Sequence, residues 1–155
     1  MGVTVRTAIA NDASIIVEFN RCLAQETEAK DLELAVLSSG VFALLADAAK
    51  GQYFIAEDNG EVVGQLMITR EWSDWRNGWM WWIQSVYIRA DARRRGVFRT
   101  LYQHVLDAAR SEPDVIGLRL YVEHENVRAQ QTYRSLGMSQ TGYLLFERCP
   151  LCHNS

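Results

Sequence analysis

Two spacings of apolar residues alternate along this chain, one near 3.6 and one of 2, and the switches between them mark its elements. After a short apolar segment, Asn11-Asp12 precede Ile15, Ile16, Phe19 and Leu23, which share one helical face, so the pair is expected to cap a helix. A second helix is predicted over Leu34 to Ala49, with Gly51 just past its end, where a left-handed residue is wanted. The polar run from Gln25 to Asp31 connects the two.

The period then falls to two. Tyr53–Asp58 and Glu61–Thr69 read as strands, and Asn59-Gly60 between them is a strong hairpin signal. Glu71–Gly78 is expected to be a turn-rich loop, followed by a third strand over Trp79–Ile88, rich in aromatic and β-branched residues. From Gly96 to Arg110, Val97, Leu101, Val105 and Ala108 return to helical spacing, and Pro113 stops the pattern. Val115–Val122 alternates again, Asn126–Leu136 reads as a helix ended by Gly137, and a last strand is expected around Tyr143–Glu147.

A three-stranded meander followed by strand, helix, strand predicts an α/β (α+β) fold. Its sheet is mixed and mostly antiparallel with helices on both faces, and the Trp79–Ile88 and Leu118–Val122 strands run parallel through a right-handed crossover. With 155 residues, 48% of them hydrophobic, one core and one domain over residues 1–155 are expected, with 146–155 as a loose tail.

Charge narrows the function classes. Sixteen basic residues against 19 acidic give a net −3, without the basic field that nucleic-acid or anionic-membrane binding uses, so neither partner is expected and a small or cationic substrate fits better. No leader-like apolar run follows Met1, and no stretch is apolar enough to span a bilayer, so a cytoplasmic location is expected. The three cysteines, Cys22, Cys149 and Cys152, do not make a disulfide framework. Cys149-Pro150-Leu151-Cys152-His153 has the spacing of a haem-attachment or half-zinc motif, but the chain offers no second ligand pair, so no metal is expected.

Arg93-Arg94-Arg95-Gly96-Val97-Phe98 lies where a strand hands over to a helix, so its amides lie at the positive end of the helix dipole and form an anion cradle. Taken alone, the same run also suits a solvated basic turn. Arg93, Gly96 and their spacing resemble the acetyl-CoA signature of the GNAT superfamily of N-acyltransferases, Arg or Gln, two residues, Gly, one residue, Gly or Ala; Phe98 departs from it at the last place. About thirty residues on, Asn126, Ala129, Tyr133 and Gly137 meet the family's second signature, Asn-x-x-Ala-x-x-x-Tyr-x-x-x-Gly. The element order from Val3 to Glu147 is similar to that family's fold throughout.

The resemblance implies an acetyl-CoA-dependent N-acetyltransferase acting on an amine, with a splayed parallel strand pair. By it, Arg93–Phe98 (with Arg94, Arg95 and Val97) hold the phosphates, and the backbone of Val86, Tyr87 and Ile88 meets the pantetheine arm as an added strand would. A backbone amide near Ile88 polarises the thioester carbonyl, Asn126 bonds the pantetheine, and Ala129 keeps the helix face thin. Tyr133 shares that face and, as a phenol, can protonate a departing thiolate. Its alternative is a core tyrosine.

The acceptor side is less specified. Relatives place a glutamate where this chain has Gln84 and Ser85; a water chain to Glu26, Glu28, Glu71, Asp74 or His124 can carry the proton, and each of these also suits an ordinary surface. Five tryptophans crowd positions 72–82, and those not needed in the core, with Glu71 and Asp74 nearby, can form an aromatic, acidic cup for a small cationic amine. The acceptor pocket is expected at the Gln25–Asp31 connection and the Glu71–Gly78 loop, with Glu26, Glu28, Glu71, Trp72, Asp74 and Gln84 as its candidate residues. The competing reading is a non-catalytic acyl-CoA sensor or scaffold, and a homodimer is an expectation drawn from relatives.

Overall fold

The computed structural model describes residues 2–153 and contains two compact units, one through Tyr121 and one from Val122 onward. The first unit holds β1 (Val3–Thr7), α1 (Ala13–Glu28), α2 (Leu34–Ala46), β2 (Gln52–Asp58), β3 (Glu61–Ser73), β4 (Gly78–Ile88), α3 (Val97–Arg110) and β5 (Val115–Leu120). Its sheet runs in the order β1-β2-β3-β4-β5, antiparallel except for the parallel β4–β5 pair. This is the mixed sheet that the pattern predicts. The second unit contains α4 (Val127–Ser135).

Alternate residues of a strand face opposite sides, and both sides are covered. Tyr53 and Ile55 pack with Ile16, Val17 and Val41 of α1 and α2, whereas Phe54 between them meets His104 of α3 edge-on at 5.2 Å. Ile16, Ile55, Leu66, Ile68, Leu101 and Val105 are fully buried; each such burial is worth about 1.5–3 kcal/mol. Gly64 lets β4 and α3 close together over β3: a Cβ there would stand 2.8 Å from Ile88 Cδ1 and 3.2 Å from Val97 Cγ1. The end of one element and the start of the next are thereby brought side by side.

The hairpin forms as read, with Asn59 at φ 52 and Gly60 at φ 80 supplying the left-handed pair its turn needs. Five expectations change. The Glu71–Gly78 loop is half strand: β3 continues to Ser73, Trp72 pairs with Trp79, β4 begins at Gly78, and only residues 74–77 turn. α2 stops at Ala46 and β5 at Leu120, short of the predicted ends. The last strand is not formed, and Tyr143, Leu144, Leu145 and Phe146 are exposed. Asp12 does not cap α1 with its side chain.

Asp12 is buried instead and ties the N-terminus together. It accepts from Arg6 Nη1 at 2.8 Å, Arg6 Nη2 at 2.9 Å and the Ile9 amide at 2.7 Å, while Arg6 Nε donates to Glu57 on β2 at 2.5 Å. The Arg6 bonds hold the Asp12 carboxyl below its ordinary pKa despite burial. A lowered folded value means that the stabilisation is complete above the ordinary carboxylate range and is lost as pH falls through the folded value. Asp12→Ala should therefore lower stability by about 2 kcal/mol at pH 7, and urea titrations should show the gap between variant and wild type closing below about pH 4.

Candidate functional site

β4 outruns its parallel partner. Pairing with β5 extends from Trp79 to Ile83, yet β4 continues to Ile88. The departure coincides with a bulge: Met67 faces Gln84 and Gln65 faces Tyr87, so Ser85 and Val86 together oppose the single residue Leu66. Ser85 takes φ 51, left-handed backbone that few non-glycine residues adopt. Beyond the bulge, the Arg89 amide donates to Val63 O at 2.8 Å. By antiparallel alternation the N–H and C=O of Ile88 then point away from β3, onto an edge that β5 no longer occupies.

Past Ile88 the chain makes a short turn (Ala90–Ala92) and enters α3 through Gly96, which has φ 81 and offers no capping side chain. The leading amides of α3 have no intrahelical acceptor, and a Cβ on Gly96 would meet nothing within 4 Å. The three arginines before it do different things. Arg95 donates to Asp58 at 2.7 Å. Arg93 donates from Nε to Ile88 O at 2.9 Å and from Nη2 to Glu26 at 2.5 Å. Arg94, exposed and at φ 64, has no ion-pair or hydrogen-bond partner among the described residues.

Glu26 is the hub on the α1 side. Its second oxygen accepts from the Tyr87 hydroxyl at 2.6 Å, and the Arg93 guanidinium lies 5.4 Å over the Tyr87 ring. The Tyr87 bond and then Arg93 keep the Glu26 carboxyl below its ordinary value, while burial and then the Glu26 charge push the Tyr87 phenol well up. A cavity of about 480 Å³ opens beside it, lined by the acids Glu18, Glu26 and Asp31 and the bases Arg21 and Lys30. Glu28 closes α1, exposed and two residues past Glu26.

The aromatic, acidic cup is only partly assembled. Glu71 accepts from Arg119 at 2.9 Å and from Trp82 Nε1 at 3.0 Å, so its charge is already met. Trp72 packs edge-on against Trp79 at 5.0 Å. Asp74 accepts from the Trp75 amide within its own turn, and Gln84 donates to Thr69 at 2.7 Å. In the second unit, Asn126 Oδ1 caps α4 by accepting from the Ala129 amide at 3.1 Å, which leaves Nδ2 as its outward donor. Tyr133 stands one helical turn beyond Ala129, and burial raises its phenol pKa.

The structure thus gathers Val86–Ile88, Arg93–Phe98 and Glu26 around one strand end, and puts Glu71, Trp72 and Asp74 at the far end of the β3–β4 arm. Sequence reasoning missed Asn20, Tyr53 and Gln65, polar groups buried under the bulge. No local motif marks them. Among the described residues no group of three or more His, Cys, Asp or Glu could hold a metal ion, and no helix is long and apolar enough to cross a membrane.

Removing the Glu26 charge should lower the Tyr87 titration while burial keeps it above the ordinary phenol value of about 10. Tyrosine-labelled NMR of Glu26→Gln is expected to show that downward move; an unmoved Tyr87 would mean that the pair does not form in solution.

The Acetyltransferase (GNAT) family model matches residues 17–138. The chain is similar to a possible acetyltransferase from Clostridium difficile 630, at 43% identity and TM-score 0.91, over 97% of this chain and 99% of that one. It shares its fold with a predicted acetyltransferase with acetyl-CoA from Clostridium acetobutylicum (18% identity, TM-score 0.78, 95% and 96% covered). The same holds for a ribosomal-protein-alanine N-acetyltransferase from Brucella melitensis biovar Abortus 2308 (16% identity, TM-score 0.78, 96% and 100% covered). No curated protein sequence matches the chain. A strand end freed from its parallel neighbour, a glycine-led helix start beside it and a family match over most of the sequence agree: the chain belongs to the GNAT family of acetyltransferases, which use acetyl-CoA.

Proposed function

We propose that this protein moves the acetyl group of acetyl-CoA to the primary amine of a small cationic substrate, with Tyr133 as general acid. The observation that carries this reading is the freed edge of β4, where the Ile88 N–H faces away from β3 at the end of the stretch that continues past Ile83, the last residue paired with β5. An extended pantetheine can hydrogen-bond there as a further strand would. The cosubstrate, when bound, supplies an acetyl group activated as a thioester. Everything else falls to the chain.

The Ile88 amide donates to the carbonyl oxygen as negative charge grows on it, a preorganised dipole in place of reorienting water. The amides at the start of α3 and the Arg94 guanidinium receive phosphate oxygens, and open space at Gly96 lets them come close. Arg93 and Arg95 have carboxylate partners already, so their part is to fix the loop. Asn126 bonds the pantetheine through Nδ2, and small Ala129 leaves room for it. Tyr133, a phenol with an ordinary pKa of about 10 that burial raises further, holds its proton at neutral pH and gives it to the sulfur as the thiolate leaves.

The amine enters the cavity beside α1, where Glu18 and Glu26 are paired with Arg21 and Arg93 and Asp31 is the acid with no ion-pair partner among the described residues. Glu26 orients it rather than deprotonating it, because a carboxylate held below its ordinary pKa is a weak base. The reading includes a cytoplasmic setting, with the three cysteines as free thiols. One observation favours a second reading, a non-catalytic acyl-CoA sensor: Gln84, where relatives carry a glutamate, is bound to Thr69.

The two readings separate in one experiment. Purified protein with acetyl-CoA and a panel of polyamines, aminoglycosides and amino acids should release CoA with at least one amine. Tyr133→Phe should keep acetyl-CoA affinity and lose kcat about a hundredfold, the low end for a general acid because a thiolate already leaves well. Gly96→Glu should abolish binding by placing a carboxylate against the phosphates. Binding without turnover for every amine would favour the sensor, and full turnover by Tyr133→Phe with chemistry rate-limiting would remove Tyr133 from the mechanism.

A further inference from the structure

Gln65 lies in the middle of β3 at 0% exposure, with Ile55 beside it on β2 and Tyr87 beside it on β4. A methionine or leucine would fill that place without burying an amide. The amide makes one bond: Nε2 donates to the Ser85 carbonyl at 3.0 Å, and Oε1 has no hydrogen-bond partner among the described residues. A buried acceptor left unmet is costly, so packing does not account for glutamine here. The bond to Ser85 does.

A second side chain lies near Ser85. Burial raises the Tyr53 phenol pKa and the nearby Ser85 hydroxyl works against that rise, while Asn20 Nδ2 donates to the Tyr53 oxygen at 3.1 Å and to the Ile16 carbonyl at 3.0 Å. Asn20 and Tyr53 are buried as well. Gln65 on β3 therefore bonds directly to the residue at φ 51 that inserts the bulge into β4, and Tyr53 on β2, itself bonded by Asn20 of α1, lies near it. A serine enters that backbone region reluctantly and stays only where its surroundings fix it.

We propose that Gln65, backed by Tyr53 and Asn20, is a positioning residue for acetyl transfer: it locks Ser85 in its left-handed conformation and so aims the Ile88 N–H at the thioester carbonyl. The inference rests on the reading of Ile88 as the thioester's hydrogen-bond donor. It explains why a core position carries an amide with one unmet atom, and why β4 keeps its bulge without a glycine. A donor fixed before the substrate arrives is worth more in the transition state than one that must be ordered there.

Gln65→Met keeps side-chain length and deletes the bond. Ser85→Gly adopts positive φ at no steric cost and needs no brace. In the free protein, the amides of Tyr87 and Arg89 should exchange hydrogen about tenfold faster in Gln65→Met. With acetyl-CoA and a working amine, that variant should lose kcat about tenfold while the acetyl-CoA Kd stays within about twofold, and adding Ser85→Gly should restore most of the rate. Tyr53→Phe should move both readouts in the same direction by less, and decides the matter if Gln65→Met does not fold. A fall in Tm with exchange and kcat unchanged, or a double variant no faster than the single one, would overturn the proposal. If wild-type protein binds no acetyl-CoA, the functional reading fails by itself, and the exchange comparison still decides whether Gln65 holds the bulge.

Discussion

The parallel pairing of β4 with β5 ends at Ile83, where β5 itself ends, and past the Ser85 insertion Ile88 faces an edge with no strand paired to it among the described residues. In a regular sheet those backbone groups would be consumed by the neighbouring ladder. Here they are released at the place where the chain turns into α3. Gly64 permits this, because a Cβ at that position would push Ile88 and Val97 apart. One extra residue and one missing side chain thus create a hydrogen-bonding edge next to a helix start.

The surrounding charges stabilise that arrangement more than they compete for it. Arg93 joins three elements: its Nε reaches the Ile88 carbonyl on β4, its Nη2 reaches Glu26 on α1, and it leads into the turn before α3. Arg95 fixes the same turn to Asp58 at the end of β2. Both arginines are partly exposed, so each ion pair contributes little to global stability. Their consequence is geometric: a loop with several cationic groups is held in one conformation, and Arg94 remains directed outward.

How much of this could be read from the sequence depended on whether the deciding interaction was local. Asn59-Gly60 announces its turn because only left-handed residues fit it, and Gly137 announces the end of α4 for the same reason, at φ 93. The Arg93–Phe98 segment was legible because strand, glycine and helix follow one another directly. The bulge is not, since serine does not signal left-handed backbone and its conformation is imposed from 20 residues away by Gln65. Asp12 reads as a helix cap because its partner Arg6 lies on another element. Residues 71–78 read as a loop because Asp74, Asn77 and Gly78 signal turns, whereas the cross-strand packing of Trp72 on Trp79 extends the two strands to Ser73 and from Gly78.

The central claim is that acetyl-CoA lies along the freed edge of β4 with its phosphates at the start of α3. Backbone amide NMR of the wild-type protein titrated with acetyl-CoA tests it most directly, since every amide reports its own surroundings. The largest shifts should fall on Ile88, Gly96 and Val97, with β1 and β2 nearly unmoved. Saturable binding that leaves Ile88 and Val97 in place and shifts another surface would contradict the account.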